Sequence, residues 1–388
     1  MLRGVGRKTT FFMVKYVKNN CKGGKSMDNT RRIYLDNIRW ITVCIVVIYH
    51  VIYMYNGVQP FGVIGPFKEE QLQDAFQYLV YPWMMALLFT VSGMTVRYYL
   101  EKHNLKEFIR DKTRKLLVPS TIGLFAFQWI LGYYNMKISG AFESFESVPG
   151  IVQYVIMAIS GIGVLWYIQV LWIFSMLLLL VRKFERDRIW KTGGKASVCL
   201  LVLLIAFVYR FSQVLNTPIV TVYRFGIYGF CFFTGYFIFS HDEVVERLSR
   251  WWGIFLIAAG ATGIFYTIGY FGENYAVEPV LNNLPACIYC WFSILAILAF
   301  MKKYGNSENK ISRWMSKKSW GIYVFHYLPL ACAAYYLRCF ASGLPAGIVY
   351  TVVGISAFAG ALLLYEIISR IPIIRWCVLG LKKEKKHV

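Results

Sequence analysis

Residues 162–181 read IGVLWYIQVLWIFSMLLLLV and contain no charged side chain. A membrane-spanning helix needs about 20 predominantly apolar residues, so this stretch predicts a helix that crosses a bilayer. The rest of the 388-residue chain has the same character, with 57% hydrophobic residues, 16% charged residues and a mean hydropathy of +0.49. A water-soluble enzyme is excluded, because one core cannot enclose so many apolar runs. A disordered chain is excluded by the 18% aromatic content.

Comparable apolar stretches recur along the chain and predict an all-α integral membrane protein with about ten transmembrane helices in a single bundle. We place them at 38–56, 76–98, 116–134, 162–181, 196–214, 219–240, 251–270, 280–301, 319–340 and 347–369. The predicted organisation is a basic cytoplasmic lead without stable structure at 1–32, a ten-helix membrane domain at 33–375 and a basic cytoplasmic tail at 376–388. Met27 is a second candidate translation start beside Met1.

The residues that give the formal net charge of +22 are distributed along the chain as the predicted topology requires. All but six of the 42 Lys and Arg residues lie in the termini and in alternate connections, whereas the opposite loops contain only Lys68 and Lys137 together with several acids. By the positive-inside rule both termini are cytoplasmic, which agrees with an even number of spans. The asymmetry accounts for the charge without a nucleic-acid partner.

The nine cysteines show no spacing typical of a zinc site. Cys287 and Cys290 form a C-x-x-C pair inside an apolar stretch without nearby Cys or His, so helix packing is the favoured interpretation. We therefore expect no metal.

Two ionisable residues in the first predicted helix are candidates for a functional site, because a charge near the bilayer centre costs about 2.5–3.5 kcal/mol. Arg39 and His50 are eleven residues apart. At about 100° per residue they return to the same helix face, with about 16 Å of axial rise between them. Asp36 precedes Arg39 by three residues and can hold its guanidinium. Either the pair borders a water-lined path between the two sides of the membrane, or Arg39 snorkels to the interface and His50 is a buried structural histidine.

The sequence around this pair resembles the opening helix of membrane acyltransferase family 3. The segment YLDNIRWITVCIVVIYH, residues 34–50, contains the family's pattern of an Arg and a His separated by ten residues. Its sequence most resembles the glucan succinyltransferase and fucose-acetylase-like branch. Four later segments resemble the family in the same order: LLFTVSGMTVRYY, FIRDKTRKLLVP, LWYIQVLW and SWGIYVFHYLPL. The chain departs from the family at Trp40, where a small residue is common. It also departs in the basic loop, where Lys112 and Lys115 occupy the positions of the usual Arg-x-x-Arg.

The resemblance implies a membrane-bound O-acyltransferase that moves an acyl group, with acetyl expected, from cytoplasmic acyl-coenzyme A to a hydroxyl of an envelope carbohydrate. Acyl-coenzyme A would be the co-substrate, and the enzyme would lie in the bacterial plasma membrane, with the lipid bilayer and the carbohydrate acceptor as its partners. His50 would be the catalytic general base or a covalent acyl carrier, and Arg39 would hold the donor. The sequence leaves the acceptor, the acyl group and the oligomeric state open.

Further residues are assigned to the two substrates. The candidates for donor binding are Asp36, Arg110, Lys112, Arg114, Lys115, Ser92 and Gly93. The candidates for acceptor binding or for supporting the site are His326, Tyr323, Trp166 and Tyr167. Each set has a plainer interpretation: positive-inside charge for the loop cations, helix packing for the Ser-Gly pair, a structural hydrogen bond for the histidine, and an interfacial aromatic belt for the Trp-Tyr pair.

A secondary transporter or a glycan flippase would also need many helices and embedded charges. Transporters often contain two related halves, and we find no repeat that relates the halves of this chain. The charged stripe of the first helix also has no counterpart in the sixth, which favours the acyltransferase.

Overall fold

The computed structural model describes residues 31–58, 62–67, 71–144, 147–218 and 222–382. Two units divide the chain, Met1–Arg32 and Ile33–Val388, and every element named below belongs to the second. The basic lead predicted at 1–32 lies almost entirely outside the described residues, as does the end of the predicted tail.

Helices make up most of the described chain. The α-helices are α1 Ile33–Tyr53, α2 Ala75–Lys102, α3 Leu105–Lys112, α4 Trp129–Ser139, α5 Gly150–Ser160, α6 Trp166–Glu185, α7 Arg188–Gly193, α8 Val198–Leu203, α9 Ile205–Ser212, α10 Phe225–Thr234, α11 Asp242–Ser249, α12 Trp252–Tyr270, α13 Glu278–Leu281, α14 Leu284–Tyr304, α15 Lys310–Phe325, α16 Tyr327–Phe340, α17 Ala346–Arg370 and α18 Pro372–Leu379. Wider π-helical turns cover Thr113–Leu117, Leu124–Gln128 and Gly235–Phe239, and tighter 3-10 turns cover Leu72–Asp74, Ala141–Ser144 and Gly163–Leu165.

Among the described residues, six helices are long and apolar enough to cross a membrane. They are Ile33–Tyr53, Leu72–Lys102, Gly163–Glu185, Trp252–Tyr270, Leu284–Tyr304 and Ala346–Arg370. Shorter apolar helices cover Gly150–Ser160, Val198–Ser212 and Phe225–Phe239. The prediction of an all-α membrane protein is confirmed, whereas the count of ten and the cytoplasmic termini stay predictions.

Polar caps in the connecting segments set where several helices begin. Asn104 accepts the Glu107 N–H at 2.9 Å, and its own N–H donates to the Glu107 carboxylate at 3.4 Å. Asn309 and Ser312 form the same reciprocal cap at the start of α15. These side chains satisfy N–H groups that the first turn of a helix leaves without partners.

Helix α2 lies at the centre of the protein. Its most apolar stretch is 83% buried, against 22% for α12 and α17, whose apolar surfaces face outward. It packs against α1, α10, α14 and the π-helical turn after α10, and α1 in turn packs against α15 and α17. The predicted site residues of α1 and α2 therefore lie on two helices that pack directly against each other.

The structure corrects four element boundaries. Part of the span predicted at 219–240 is a strand, because Val222–Arg224 pairs in antiparallel fashion with Asn216–Pro218. The span predicted at 319–340 is broken at His326, and α5 occupies part of a predicted loop. Helix α18 buries Val378 and Leu379, so packed structure continues beyond the predicted end of the domain at 375.

Candidate active site

Helix α1 is fixed at its first turn by polar contacts with the segment that follows α14. The Asn37 amide donates to the carbonyls of Gly305 at 2.7 Å and Ser307 at 3.0 Å. The Trp40 indole donates to the Asn37 amide oxygen at 2.9 Å. The tryptophan at which the sequence departs from the family therefore supports the residue that anchors the helix.

Arg39 lies two residues after Asn37 and keeps part of its side chain exposed. Its guanidinium is 3.4 Å from the Asp36 carboxylate, as the i, i+3 spacing predicts. Tyr167 of α6 and Lys112 of α3 both lie within electrostatic range of this guanidinium. Arg39 thus lies where three separate helices meet.

His50 lies eleven residues further along α1, opposite His326. The His50 Nδ1 and His326 Nε2 atoms are 3.2 Å apart, and the ring of Tyr327 packs edge-on against His50 at 5.0 Å between centroids. His326 is 0% exposed. It occupies the break between α15 and α16, which the sequence accounts for, since Pro329 has no N–H to donate to the Phe325 carbonyl.

Hydrogen-bond partners define the tautomer of each ring. His326 Nδ1 lies 3.0 Å from the Ile322 carbonyl and 2.9 Å from the Tyr323 carbonyl, and carbonyl oxygens only accept, so this nitrogen carries the proton. In the neutral ring Nε2 is then an acceptor. His50 Nδ1 donates to it and to the Val46 carbonyl at 2.8 Å. This arrangement leaves the lone pair of His50 on Nε2, where it can accept a proton.

Tyrosine side chains connect the Arg39 region with the histidine pair. The Tyr167 hydroxyl lies 2.9 Å from the Ser92 hydroxyl and 3.2 Å from the Leu88 carbonyl. The Tyr167 ring contacts that of Tyr323 at 5.9 Å between centroids, and the Tyr323 hydroxyl donates to the Val164 carbonyl. Packed side chains therefore occupy this stretch, and a water-lined path along it stays a prediction.

The four cations of the basic loop have different surroundings. Arg110 and Lys115 are exposed. Arg114 is tied to the protein by the Gly380 carbonyl at 3.0 Å and by the Asp111 carboxylate at 3.2 Å. Lys112 contacts the Phe108 ring and lies in the range of Arg39. Burial, with the charges of Arg39 and Lys115, lowers the pKa of the Lys112 ammonium to about 7.

Three further predicted site residues, Gly93, Trp166 and Tyr167, pack closely against other parts of the protein. A Cβ added at Gly93 would lie 2.0 Å from the Phe232 carbonyl oxygen, so close helix packing accounts for this glycine. Trp166 packs against the rings of Tyr223 and Tyr228 at 5.0 and 5.7 Å. Tyr167 is 7% exposed, and its hydroxyl is hydrogen-bonded inside the protein.

The pairing of the two histidines and the contact with Tyr327 do not follow from any spacing in the sequence. The residues His326-Tyr327 stand together in the sequence, but their distance from His50 depends on how α1 and α15 pack. Within the described part of the chain, no three His, Cys, Asp or Glu side chains come together as a metal site would require.

These features define a multi-pass helical membrane protein with two facing imidazoles inside it and a basic residue cluster near one end of α1. The sequence family described as an acyltransferase domain, acyltransferase family 3, matches residues 32–366. The chain belongs to this family and is an acyltransferase, which makes a transporter the weaker alternative. No curated protein and no solved structure matches the chain.

Proposed function

We propose that this protein is an O-acyltransferase that moves an acyl group, with acetyl expected, from acyl-coenzyme A to a hydroxyl of an envelope carbohydrate. We place it in the plasma membrane with ten spans. Both termini are proposed to be cytoplasmic, as the positions of the Lys and Arg residues predict. The observation that carries the proposal is the 3.2 Å contact between His50 Nδ1 and His326 Nε2, since it directs the free lone pair of His50 to Nε2.

In the proposed reaction, His50 Nε2 removes the proton from the acceptor hydroxyl while the hydroxyl oxygen attacks the thioester carbonyl carbon. The tetrahedral intermediate then collapses, the carbon–sulfur bond breaks, and the thiolate of coenzyme A leaves and takes the proton from His50. His326 fixes the tautomer and the direction of the His50 ring, and it shares the positive charge that forms. A covalent acyl-histidine would use the same lone pair.

The donor is proposed to enter at the cytoplasmic end of α1. Its phosphates would meet Arg39 and Lys112, which lie in range of each other. Asp36 holds the guanidinium in a fixed direction at 3.4 Å. The pantetheine arm would then run toward His50 beside Ser92 and Tyr167, displacing side chains that fill this stretch.

The test is release of free coenzyme A from acetyl-coenzyme A by inverted vesicles in the presence of an envelope glycan extract. His50→Gln removes the base and should lower the rate by about 10²–10⁴-fold. His103→Gln is the matched control, because His103 is exposed and contacts the carbonyl and the ring of the nearby Tyr99. A folded His50→Gln protein with the wild-type rate would overturn the proposed role of His50.

A further inference from the structure

At the end of α1 opposite Arg39, the structure contains two adjoining cavities of about 280 and 370 Å³. Both have Gly57 and Val58 in their walls. Sites for small ligands typically measure about 300–1,000 Å³, so the pair has the size of a binding site. The smaller cavity is lined by Asp74, Tyr78 and Phe271, which none of the assignments above uses.

Asp74 is 3% exposed, and only one of its two carboxylate oxygens has a hydrogen-bond partner. Its Oδ2 accepts the Gly57 N–H at 3.0 Å, whereas its buried Oδ1 has no hydrogen-bond partner. Burying a polar atom without a partner is unfavourable, so the unpaired Oδ1 of a residue that lines the cavity indicates a ligand that supplies the missing hydrogen bond.

The groups around the cavity limit the chemistry of that ligand. An apolar ligand would leave the carboxylate oxygen without a partner. A calcium ion takes about 6–8 oxygen ligands, and the one carboxylate of this cavity falls well short of that number. A sugar ring fits better, because its hydroxyls both donate and accept, and its C–H faces pack on aromatic rings such as Phe271, which is 44% exposed.

Aromatic contacts connect the cavity with the proposed catalytic histidine. Tyr78 contacts Tyr275 at 5.5 Å between ring centroids, Tyr275 meets Tyr49 at 3.2 Å between hydroxyl oxygens, and Tyr49 contacts His50 at 5.0 Å. Gly57 follows His50 by seven residues, the first three of which complete α1. A sugar in the cavity is therefore near the acceptor that His50 activates, without touching His50 itself.

We propose that this cavity binds one sugar unit of the acceptor, next to the unit that receives the acyl group. The inference rests on the proposed function and names Asp74 as a positioning residue. An acceptor held by this second unit is an oligosaccharide or a polymer in place of a free monosaccharide.

The test measures binding of saccharides to the purified full-length protein by saturation-transfer NMR and calorimetry. The probes are cellotetraose, a neutral tetrasaccharide, and the glucosamine tetramer, its amino-sugar counterpart, with calcium chloride as the cation probe. Asp74→Asn should weaken saccharide binding by about tenfold or more, since a hydrogen bond to a charged acceptor is lost. Phe271→Ala, at an exposed ring, should also weaken binding, and Glu278→Gln, at an exposed acid, should not.

The outcomes separate this inference from the proposed function. Donor thioester hydrolysis without acceptor should depend on His50 and be unchanged in Asp74→Asn, while the KM for the glycan acceptor rises in that variant and kcat changes little. Absence of saccharide binding, or unchanged affinity in both Asp74→Asn and Phe271→Ala, would overturn the inference alone. Tight calcium binding lost in Asp74→Asn would replace it with a cation site.

Discussion

Lys112 has a property at the residue scale that the sequence alone does not give. Its place in the basic loop follows from the sequence, but its pKa of about 7 results from burial and from the nearby charges of Arg39 and Lys115. The ammonium is charged below pH 7 and loses its proton above it. A phosphate bound there would raise the pKa again, so donor binding takes up a proton in this range.

We therefore expect coenzyme A binding to weaken as the pH rises from 6.5 to 8.5, approaching tenfold per unit above the pKa if only the charged form binds. Equilibrium dialysis measures this dissociation constant without a contribution from catalysis. Lys112→Arg should remove the dependence, because an arginine stays charged across the range. Lys115→Arg, at an exposed position, should keep the wild-type profile. If coenzyme A binding by the Lys112→Arg variant still weakened with rising pH as in the wild type, a role for Lys112 in donor binding would be contradicted.

The residue scale also separates what spacing predicts from what packing decides. The Asp36–Arg39 contact follows from i, i+3 geometry, and the Glu366–Arg370 contact at 3.9 Å follows from i, i+4 geometry. The closer partner of Glu366 is Lys318 on another helix, which no spacing rule identifies. Local partners were predictable, and partners across helices were not.

At the scale of elements, close crossings between helices set the position of α2. Gly93 of α2 faces the Phe232 carbonyl, and Gly235 faces the Thr90 carbonyl. A Cβ added at either glycine would lie only 2.0 or 2.1 Å from that carbonyl oxygen. The two glycines lie on opposite sides of one contact. The sequence showed small residues in apolar helices, and only the packing shows which backbone they approach.

Gly93→Ala should destabilise the protein by about 1–3 kcal/mol, because the new methyl group collides with backbone that cannot rotate away. Thermal unfolding in detergent measures the change. Gly354→Ala on α17 is the control, since a Cβ there meets nothing within 4 Å and alanine favours a helix. Equal melting temperatures for the Gly93→Ala and wild-type proteins would mean that α2 and α10 can separate at little cost.

At the scale of the whole molecule, the charge distribution predicts which connections face the same side. The stretch 302–318, which runs from the end of α14 into α15, contains six Lys and Arg residues, whereas the segment between α12 and α13 contains Glu273 and no cation. The positive-inside rule then places these segments on opposite sides of the membrane.

In a cysteine-free background, Glu273→Cys should react with a membrane-impermeant maleimide in intact cells, and Lys317→Cys should react only after the membrane is opened. Both positions are exposed in the structure, so access from the aqueous phase decides the outcome. Labelling of both cysteines in intact cells would contradict the predicted topology.

Hydropathy and helical periodicity act over neighbouring residues, so they predict the class of protein, the positions of the long apolar helices, and the placement of Arg39 and His50 on one face of α1. Only the packing of the helices brings His326 opposite His50 and Lys112 near Arg39, and only this packing leaves Asp74 beside a cavity with one oxygen unpaired. These relations join residues far apart in the chain. They depend on the crossings of packed helices, to which each sequence position contributes only a part.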